Sequence, residues 1–236
     1  MKLFKNLASL HKLQNPVALA IGFFDGIHKG HIKVIEHTKK LATKLDGEAW
    51  ILTFDKHPRR VLQKVKEMFL LQSNEHKLQI LQRLKVDGCI ILPFNKKLAQ
   101  TEPANFIHNL KRNCPKLKSI LVGKGWKFGK GQSGNTSTLL SLAKELNLNI
   151  KIIPPSKWKR MPISSTRIRK AIQNGHLKEA RQMLGRPFSV MGQVVHGHKI
   201  ATKLGYPTAN IITKNEIIPP PGVYAALVLL NNHIFK

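Results

Sequence analysis

Short apolar runs with strand character alternate with stretches of helical spacing from residue 17 to about residue 155. In the helical stretches, apolar residues recur every three or four positions, which is typical of amphipathic helices. The predicted strands are Val17–Ile21, Ala49–Phe54, Cys89–Leu92, Ser119–Val122 and Ile150–Ile153. The predicted helices are His31–Leu45, Glu75–Leu84, Pro103–Arg112 and Leu139–Leu146. This alternation predicts an α/β fold with a parallel sheet.

The pattern changes after Pro154 and Pro155. Ser and Thr residues at 164–166, followed by helical spacing, predict the start of a helix that ends at Gly175. A second short helix is predicted over Leu177–Leu184. Beyond it, the chain reads as strands and turns without a helix, with apolar runs at Val190–Val195, Ala209–Ile212 and Val223–Leu230. We therefore predict two domains, 1–185 and 186–236.

The composition is ordinary except for its charge. The chain has 40 Lys and Arg residues against 12 Asp and Glu, a formal net charge of +28 at pH 7. Such an excess attracts polyanions, whether nucleotides, nucleic acid or anionic lipid. The lysines are scattered along the chain and form no single block, which is also what a generally Lys-rich composition gives. We therefore do not expect a nucleic-acid partner, and the chain indicates nothing about oligomeric state.

The two cysteines and the apolar segments indicate where in the cell the protein is expected. Cys89 and Cys114 have no CxxC spacing, which argues against a disulfide framework and a structural zinc site. Residues 1–16 are basic but lack the apolar centre of a signal peptide. The longest apolar run, Val223–Leu230, is too short to span a bilayer. These features predict a soluble cytoplasmic protein.

Two histidines follow the first predicted strand. His28 and His31 lie in an HxGH sequence, with Gly30 between them and Gly22 and Gly26 in the loop before it. Such a pair can bind zinc, act as a general base, or contact a phosphate, and it is often merely structural. No third ligand lies nearby at zinc-like spacing. The position, where a strand gives way to a helix N-terminus, favours a phosphate.

A second polar motif begins the predicted helix after residue 163. In Ser164-Ser165-Thr166-x-x-Arg169, hydroxyl groups stand at the helix start and Arg169 lies about one turn further on. Hydroxyls and a guanidinium can clamp the β- and γ-phosphates of a nucleotide. Taken alone, the motif is more simply explained as the start of a well-capped helix.

Together, the two motifs resemble the paired signatures of the nucleotidylyltransferase superfamily. More closely, the chain resembles the bacterial bifunctional riboflavin kinase/FMN adenylyltransferases, also called prokaryotic FAD synthetases. The similar segments are 21–31, 53–62, 75–95, 122–134, 163–169, 184–197 and 204–211. The resemblance implies a Rossmann-like nucleotidylyltransferase domain with a parallel sheet, followed by a partial flavokinase-type antiparallel β-barrel. It also implies an enzyme that transfers AMP from ATP to FMN, giving FAD and pyrophosphate without a covalent intermediate.

The resemblance also implies roles for particular residues. His28 and His31 would bind the ATP phosphates and stabilise charge at the α-phosphorus, with Mg²⁺ bridging the phosphates. The β- and γ-phosphates would be held by Ser165, Thr166 and Arg169. The nucleotide loop would be shaped by Gly22, Phe24, Asp25 and Gly30. The flavin would lie near His57, Pro58 and Phe128.

The last fifty or so residues resemble the start of a flavokinase barrel. Gly205, Thr208 and Asn210 would bind ATP there, and Thr208 and Asn210 are candidate Mg²⁺ ligands. In the family, a phosphate loop with the sequence Gly-Asp-Lys-x-Gly follows the first strand of this module. The corresponding loop here is 197–201, where Ala201 replaces the last glycine and restricts a loop that must approach phosphate. The sequence also stops at Lys236, before the strands and the glutamate that the family uses as a base. We therefore expect riboflavin phosphorylation to be lost or very weak.

Two adenylyltransferase motifs also depart from the family. The family's FxPHP has Lys56 in place of its first proline, and a loop position that is Asp or Asn in the family is Gly125 here. A lost hydrogen bond there costs about 1–3 kcal/mol, which would weaken FMN binding without abolishing it. Two alternatives stay open. One is a catalytically degenerate flavin- or nucleic-acid-binding protein, and the other is a nucleotidylyltransferase for another phosphate monoester.

Overall fold

The computed structural model describes residues 1–62, 69–196, 205, 208–214, 217–231 and 233–235. Its centre is one parallel sheet. The strands are Lys2–Phe4 (β1), Val17–Ile21 (β2), Glu48–Phe54 (β3), Gly88–Leu92 (β4), Leu117–Gly123 (β5) and Asn149–Ile153 (β6). Their order across the sheet is β1-β4-β3-β2-β5-β6. The predicted parallel α/β sheet is therefore confirmed.

Helices cover both faces of the sheet. They are Lys29–Lys44 (α1), Pro58–Leu62 (α2), Asn74–Arg83 (α3), Lys96–Ala99 (α4), Pro103–Asn113 (α5), Thr136–Glu145 (α6), Ser165–Gln173 (α7) and Leu177–Leu184 (α8). On one face, Val34 and Ile35 of α1 join Leu81 of α3 in a buried cluster. On the other face, the cluster contains Leu110 of α5 and Leu139 of α6. The sheet is thus a middle layer between two helical layers.

The strand order creates a switch point beside β2. From β2 the chain moves outward through β3 to β4, and it then crosses to β5 and β6 on the opposite side. The loops after β2 and β5 therefore leave the sheet in opposite directions. In doubly wound sheets, such a divergence opens a crevice at the carboxyl ends of the strands, where ligands bind. Both histidines of the HxGH sequence follow β2.

The helices α7 and α8 form a third cluster beside this crevice. Their buried residues, including Ile168, Ile172 and Met183, pack with Leu71 and with Ile217. A short hairpin of Lys157–Trp158 (β7) and Met161–Pro162 (β8) precedes α7. The Arg167 guanidinium donates to the Trp158 carbonyl (3.0 Å) and the Met161 carbonyl (3.2 Å). The hairpin thereby fixes the direction in which α7 begins.

The C-terminal strands are antiparallel, as predicted. Gly192–Val195 (β9) pairs with Asn210–Thr213 (β10), and Val228–Leu230 (β11) pairs with His233–Phe235 (β12). The predicted strand over 223–230 was wrong in its first five residues, which join no ladder within the described ranges. Over those same ranges the two small sheets do not close into a barrel.

Candidate functional site

The loop between β2 and α1 has an unusual backbone. Phe24 (φ 54°), Gly26 (φ 80°) and Ile27 (φ 37°) all have left-handed conformations. A β-branched residue such as Ile27 pays a steric cost there, so the surroundings must hold it. The Arg186 guanidinium does so from outside the loop. Its Nη2 donates to the Gly26 carbonyl (2.7 Å) and its Nη1 to the Ile27 carbonyl (2.8 Å).

Asp25 joins the loop to α7. Its carboxylate accepts a hydrogen bond from the Leu71 backbone N–H (2.9 Å) and pairs with Nη2 of Arg169 (3.2 Å). The hydroxyl of Ser165 donates to the Asp25 carbonyl (2.9 Å). Burial raises the pKa of Asp25 above its ordinary value, and the Arg169 guanidinium opposes that rise. The two polar motifs are therefore neighbours in space, joined through one aspartate.

His28 is the N-cap of α1. Its Nδ1 accepts hydrogen bonds from the backbone N–H groups of Gly30 (3.1 Å) and His31 (3.3 Å), which satisfies two donors of the first helical turn. The ring proton is therefore on Nε2. A Cβ atom at position 30 would lie 3.0 Å from the His28 ring, so Gly30 makes room for that imidazole. Burial lowers the pKa of His28 to about 4.

His31 lies between His28 and the crevice. The two imidazole rings stack with centroids 3.7 Å apart, and Phe24 contacts His31 edge-on at 5.3 Å. Burial lowers the pKa of His31 well below its ordinary value, and the nearby cations Lys77 and Arg186 contribute. Both histidines are thus neutral at pH 7 and act as hydrogen-bonding groups rather than as cations. In the described ranges, no group of three His, Cys, Asp or Glu residues stands ready for a metal ion.

A cleft of about 280 Å³ opens where these residues meet. It is lined by Phe23, Phe24, Asp25, His31, His57, Ser165, Thr166 and Arg169. Two of its lining residues carry a buried nitrogen without a partner among the described atoms, Nδ1 of His31 and Nε of Arg169. Native proteins seldom leave such atoms unsatisfied, so a polar ligand in the cleft is expected. The predicted site residues Gly22, His28 and Gly30 are not among the residues that line the cleft.

Of the predicted flavin-binding residues, one lines the cleft and another lies in the core. His57 lines the cleft, with its ring 4.6 Å from that of Phe23, and Pro58 begins α2 beside it. Phe128 is buried in the core beneath Trp126, with stacked rings 4.3 Å apart, and is not among the lining residues. A Cβ at Gly125 would meet no atom within 4 Å, so a longer side chain would fit at that position.

The predicted residues of the second module lie far along the chain from this cleft. Gly205 has a left-handed backbone (φ 82°), Thr208 is exposed, and Asn210 is the first residue of β10. The predicted phosphate loop at 197–201 lies outside the described residues. None of the three residues lines the cleft described above.

Sequence reasoning missed two residues at the cleft, Lys77 and Arg186. Lys77 is 2% exposed on α3 and donates from Nζ to the Phe23 carbonyl (3.1 Å). The sequence did contain a signal for Lys77, because helical spacing places this lysine on the same buried face of α3 as Ile80 and Leu81. Arg186 had no such signal, because its acceptors are backbone carbonyls distant in sequence.

The fold and the cleft define a Rossmann-like α/β protein with a polar cleft at the switch point of its sheet. Comparison with known families then narrows the class. A family model described as FAD synthetase matches residues 10–167, and one described as riboflavin kinase matches residues 184–236. The chain belongs to the FAD synthetase family.

Curated relatives agree over nearly the whole chain. Three of them are described as bifunctional riboflavin kinase/FMN adenylyltransferase. The protein from Buchnera aphidicola (subspecies Schizaphis graminum) is 34% identical, with 97% of this chain and 73% of that protein aligned. The Haemophilus influenzae protein is 32% identical (98% and 75% covered), and the Escherichia coli K12 protein is 30% identical (97% and 74% covered).

One solved structure is also similar. It is described as a macrolide-efflux protein from Streptococcus pneumoniae and superposes with a TM-score of 0.83 at 27% identity, covering 99% of this chain and 76% of that one. Across the part of the chain that the structure describes, no helix is long and apolar enough to cross a membrane.

Proposed function

We propose that the protein is an FMN adenylyltransferase, which joins ATP and FMN to give FAD and pyrophosphate. The single observation that carries the proposal is the meeting of the HxGH and SSTxxR motifs in one cleft at the switch point. The membership of the FAD synthetase family and the names of the relatives support the same reaction. A phosphate oxygen of FMN attacks the α-phosphorus of ATP, and the bond from that phosphorus to the bridging oxygen of pyrophosphate breaks.

The phosphates of ATP are proposed to lie between α7 and His31. Ser165 and Thr166 stand in the first turn of α7, where backbone N–H groups and the helix dipole favour an anion. Arg169, one turn later, adds a guanidinium that is held in place by Asp25. His31 would donate a hydrogen bond to the α-phosphate as negative charge develops there. His28 would orient the His31 ring by stacking against it, and would offer its own Nε2–H as a further donor.

The flavin is proposed to approach from the side of His57 and the loop after β5. His57 lines the cleft, and Pro58 and Phe128 are kept as predicted flavin neighbours, with Phe128 supporting Trp126 from below. The open space at Gly125 leaves room for a bulky acceptor. A chemically different phosphate monoester as the acceptor is the second outcome to be tested.

Mg²⁺ is proposed to bind chiefly through the phosphates of ATP. The cleft contains one carboxylate, Asp25, and Arg169 and the Leu71 N–H already engage it. A cleft with so few free protein ligands is compatible with Mg²⁺, because this ion is commonly held by substrate phosphates and water. When bound, the ion supplies neutralisation of the charge on the departing pyrophosphate. In the second module, Thr208 and Asn210 remain the proposed oxygen ligands.

The proposal is tested by incubating the purified chain with ATP, Mg²⁺ and FMN and following FAD by chromatography. His31→Ala is expected to lower kcat/KM for FAD formation by roughly 100-fold or more, because a donor at the reacting phosphate is lost. His37→Ala is the matched control, since His37 lies on the same helix outside the cleft. The control should retain wild-type activity within about twofold.

Other outcomes have defined meanings. Absence of FAD with the wild-type chain, or equal activity in the His31→Ala variant, contradicts the proposal. AMP transfer to another phosphate monoester but not to FMN favours the alternative transferase. Riboflavin in place of FMN tests whether the chain also phosphorylates riboflavin. The division into modules 1–185 and 186–236 is a separate proposal, supported by the family models that match residues 10–167 and 184–236. The predicted cytoplasmic location stays a prediction.

A further inference from the structure

Lys77 is a buried cation beneath the floor of the cleft. Its ammonium donates to the Phe23 carbonyl (3.1 Å) and the Thr53 hydroxyl (3.3 Å). It also lies over the Phe23 ring, 4.5 Å from the centroid. Phe23 itself lines the cleft. One aromatic residue is therefore in contact with the ammonium and also borders the space where a ligand would lie.

The hydrogen bonds of Lys77 do not explain why a lysine is buried there. The Thr53 hydroxyl donates to the same Phe23 carbonyl at 2.9 Å. If Lys77 lost its ammonium, that carbonyl and that hydroxyl would still be partners of each other. Burying a cation is costly, and replacing it with an apolar side chain of similar size is often neutral or stabilising. Folding alone therefore gives no reason for this charge.

Lys77 interacts electrostatically with residues of the cleft. Its field reaches the two cleft residues Asp25 and His31. Within the described ranges, no carboxylate forms an ion pair with Lys77, and the Asp25 carboxylate pairs with Arg169. Lys77 and Arg169 thus both act on one buried carboxylate, that of Asp25. Burial lowers the pKa of Lys77 to about 8, and the carboxylates of Asp25 and Asp55 partly offset that fall, so the ammonium is still largely charged at pH 7.

We propose that Lys77 is an electrostatic positioning residue, whose buried charge attracts the phosphates of ATP without touching them. The inference rests on the proposed function and names a residue for the nucleotide half of that site. A cation that has no ion-pair partner and is poorly solvated acts over a longer range than a surface lysine. The buried charge of Lys77 makes the ligand-free protein less stable, and the negative charge of a bound anionic ligand compensates it.

The test is Lys77→Met, which keeps an unbranched side chain and removes the charge. Binding of ATP in the presence of Mg²⁺ is measured by calorimetry, and thermal unfolding is measured without ligand. We expect ATP binding to weaken about tenfold, with a melting temperature equal to or above that of wild type. Lys40→Met is the matched control, because Lys40 is exposed on α1. It should change neither quantity.

Lys77→Gln separates charge from hydrogen bonding, since glutamine can still donate to the Phe23 carbonyl. Weakened ATP binding in this folded variant supports the proposal. Unchanged ATP affinity in either variant overturns it, as does a loss of about 5 °C or more in both melting temperatures, which would indicate a structural role. ATP binding that depends on Lys77 in a protein that forms no FAD would refute the proposed reaction and leave this inference standing.

Discussion

Neutral imidazoles buried beside the cleft make the protein sensitive to acid. The pKa of His28 is lowered to about 4 in the folded chain because burial disfavours the imidazolium, whereas an unfolded histidine titrates near 6.5. Between these values, the unfolded chain binds more protons than the folded one. The free energy of unfolding must therefore fall as the pH falls from 6.5 to 4.

We predict a loss of about 3 kcal/mol from His28 over that interval, with a further loss from His31. His28→Asn keeps an N-cap acceptor but does not titrate, so its unfolding free energy should fall less steeply. Urea unfolding at a series of pH values between 4 and 7 measures the difference. His11→Asn, at an exposed position, should follow the wild-type slope. Parallel curves for all three proteins would contradict the assignment.

Sequence reasoning located the residues of the cleft that belong to contiguous motifs. His31, Ser165 and Arg169 were predicted together and lie together. The Asp25–Arg169 pair was not predicted, because it joins two motifs on different elements. The positions of Lys77 and Arg186 depend on how α3 and the end of α8 pack against one loop. No local pattern of residues specifies that packing.

The longer strands and helices of the parallel sheet were predicted to within a few residues, whereas the short elements β1, α2, α4, β7, β8 and β12 were not predicted. The helix α1 begins at Lys29 rather than at His31, since the His28 ring replaces a more usual capping side chain. The helix α6 begins three residues early because the Asn135 side chain accepts from the N–H groups of Ser137 and Thr138. The strand β1 was missed, because three residues at a sheet edge are too few to show a period.

The turn after α8 supplies the clearest test at this scale. We predict that Arg186→Gln lowers kcat/KM for FAD formation by roughly tenfold or more, since the Gly26 and Ile27 carbonyls lose charged donors worth about 1.5–3 kcal/mol each. The strained loop can then relax, and His31 moves with it. Steady-state kinetics with varied ATP measure the effect.

Arg181→Gln provides the comparison for Arg186, because Arg181 is exposed on α8 and does not line the cleft. It should retain wild-type kinetics. Arg186→Lys, which keeps the charge but cannot reach two carbonyls in the same planar way, should fall between the two. Equal activity in all three variants would show that the loop holds its shape without Arg186.

The charge of the whole molecule acts over longer distances than any single contact. A net charge of +28 attracts ATP to the protein before it reaches the cleft. Salt shortens the range of that attraction from about 10 Å at 0.1 M to about 3 Å at 1 M. The KM for ATP should therefore rise by roughly threefold or more over that interval, while kcat changes little.

The same assay, run with increasing KCl, measures this dependence. A KM that stays constant would show that the scattered lysines do not contribute to capture of the nucleotide. A fall in kcat with constant KM would instead indicate that salt disturbs the assembled cleft. Potassium glutamate in place of KCl separates screening from binding of chloride in the cleft.

The parallel sheet was predictable at this scale because each buried strand is a continuous apolar run. The order of the strands was not, since strand pairing depends on contacts distant in sequence. The outcome, with β2 between β3 and β5, is what brings residues 22–31 and 163–169 to one edge.

Arg186 stands at the beginning of the segment that the riboflavin kinase model matches, yet its guanidinium holds the loop of the other module. The boundary between the two matched segments therefore does not separate two independent parts, because Arg186 lies on one side of it and supports a loop on the other. Ending the first segment at residue 185 would remove the guanidinium that supports the loop of the cleft. Chimeras that exchange the second module would have to keep the Gly185-Arg186-Pro187 turn with the cleft that it supports.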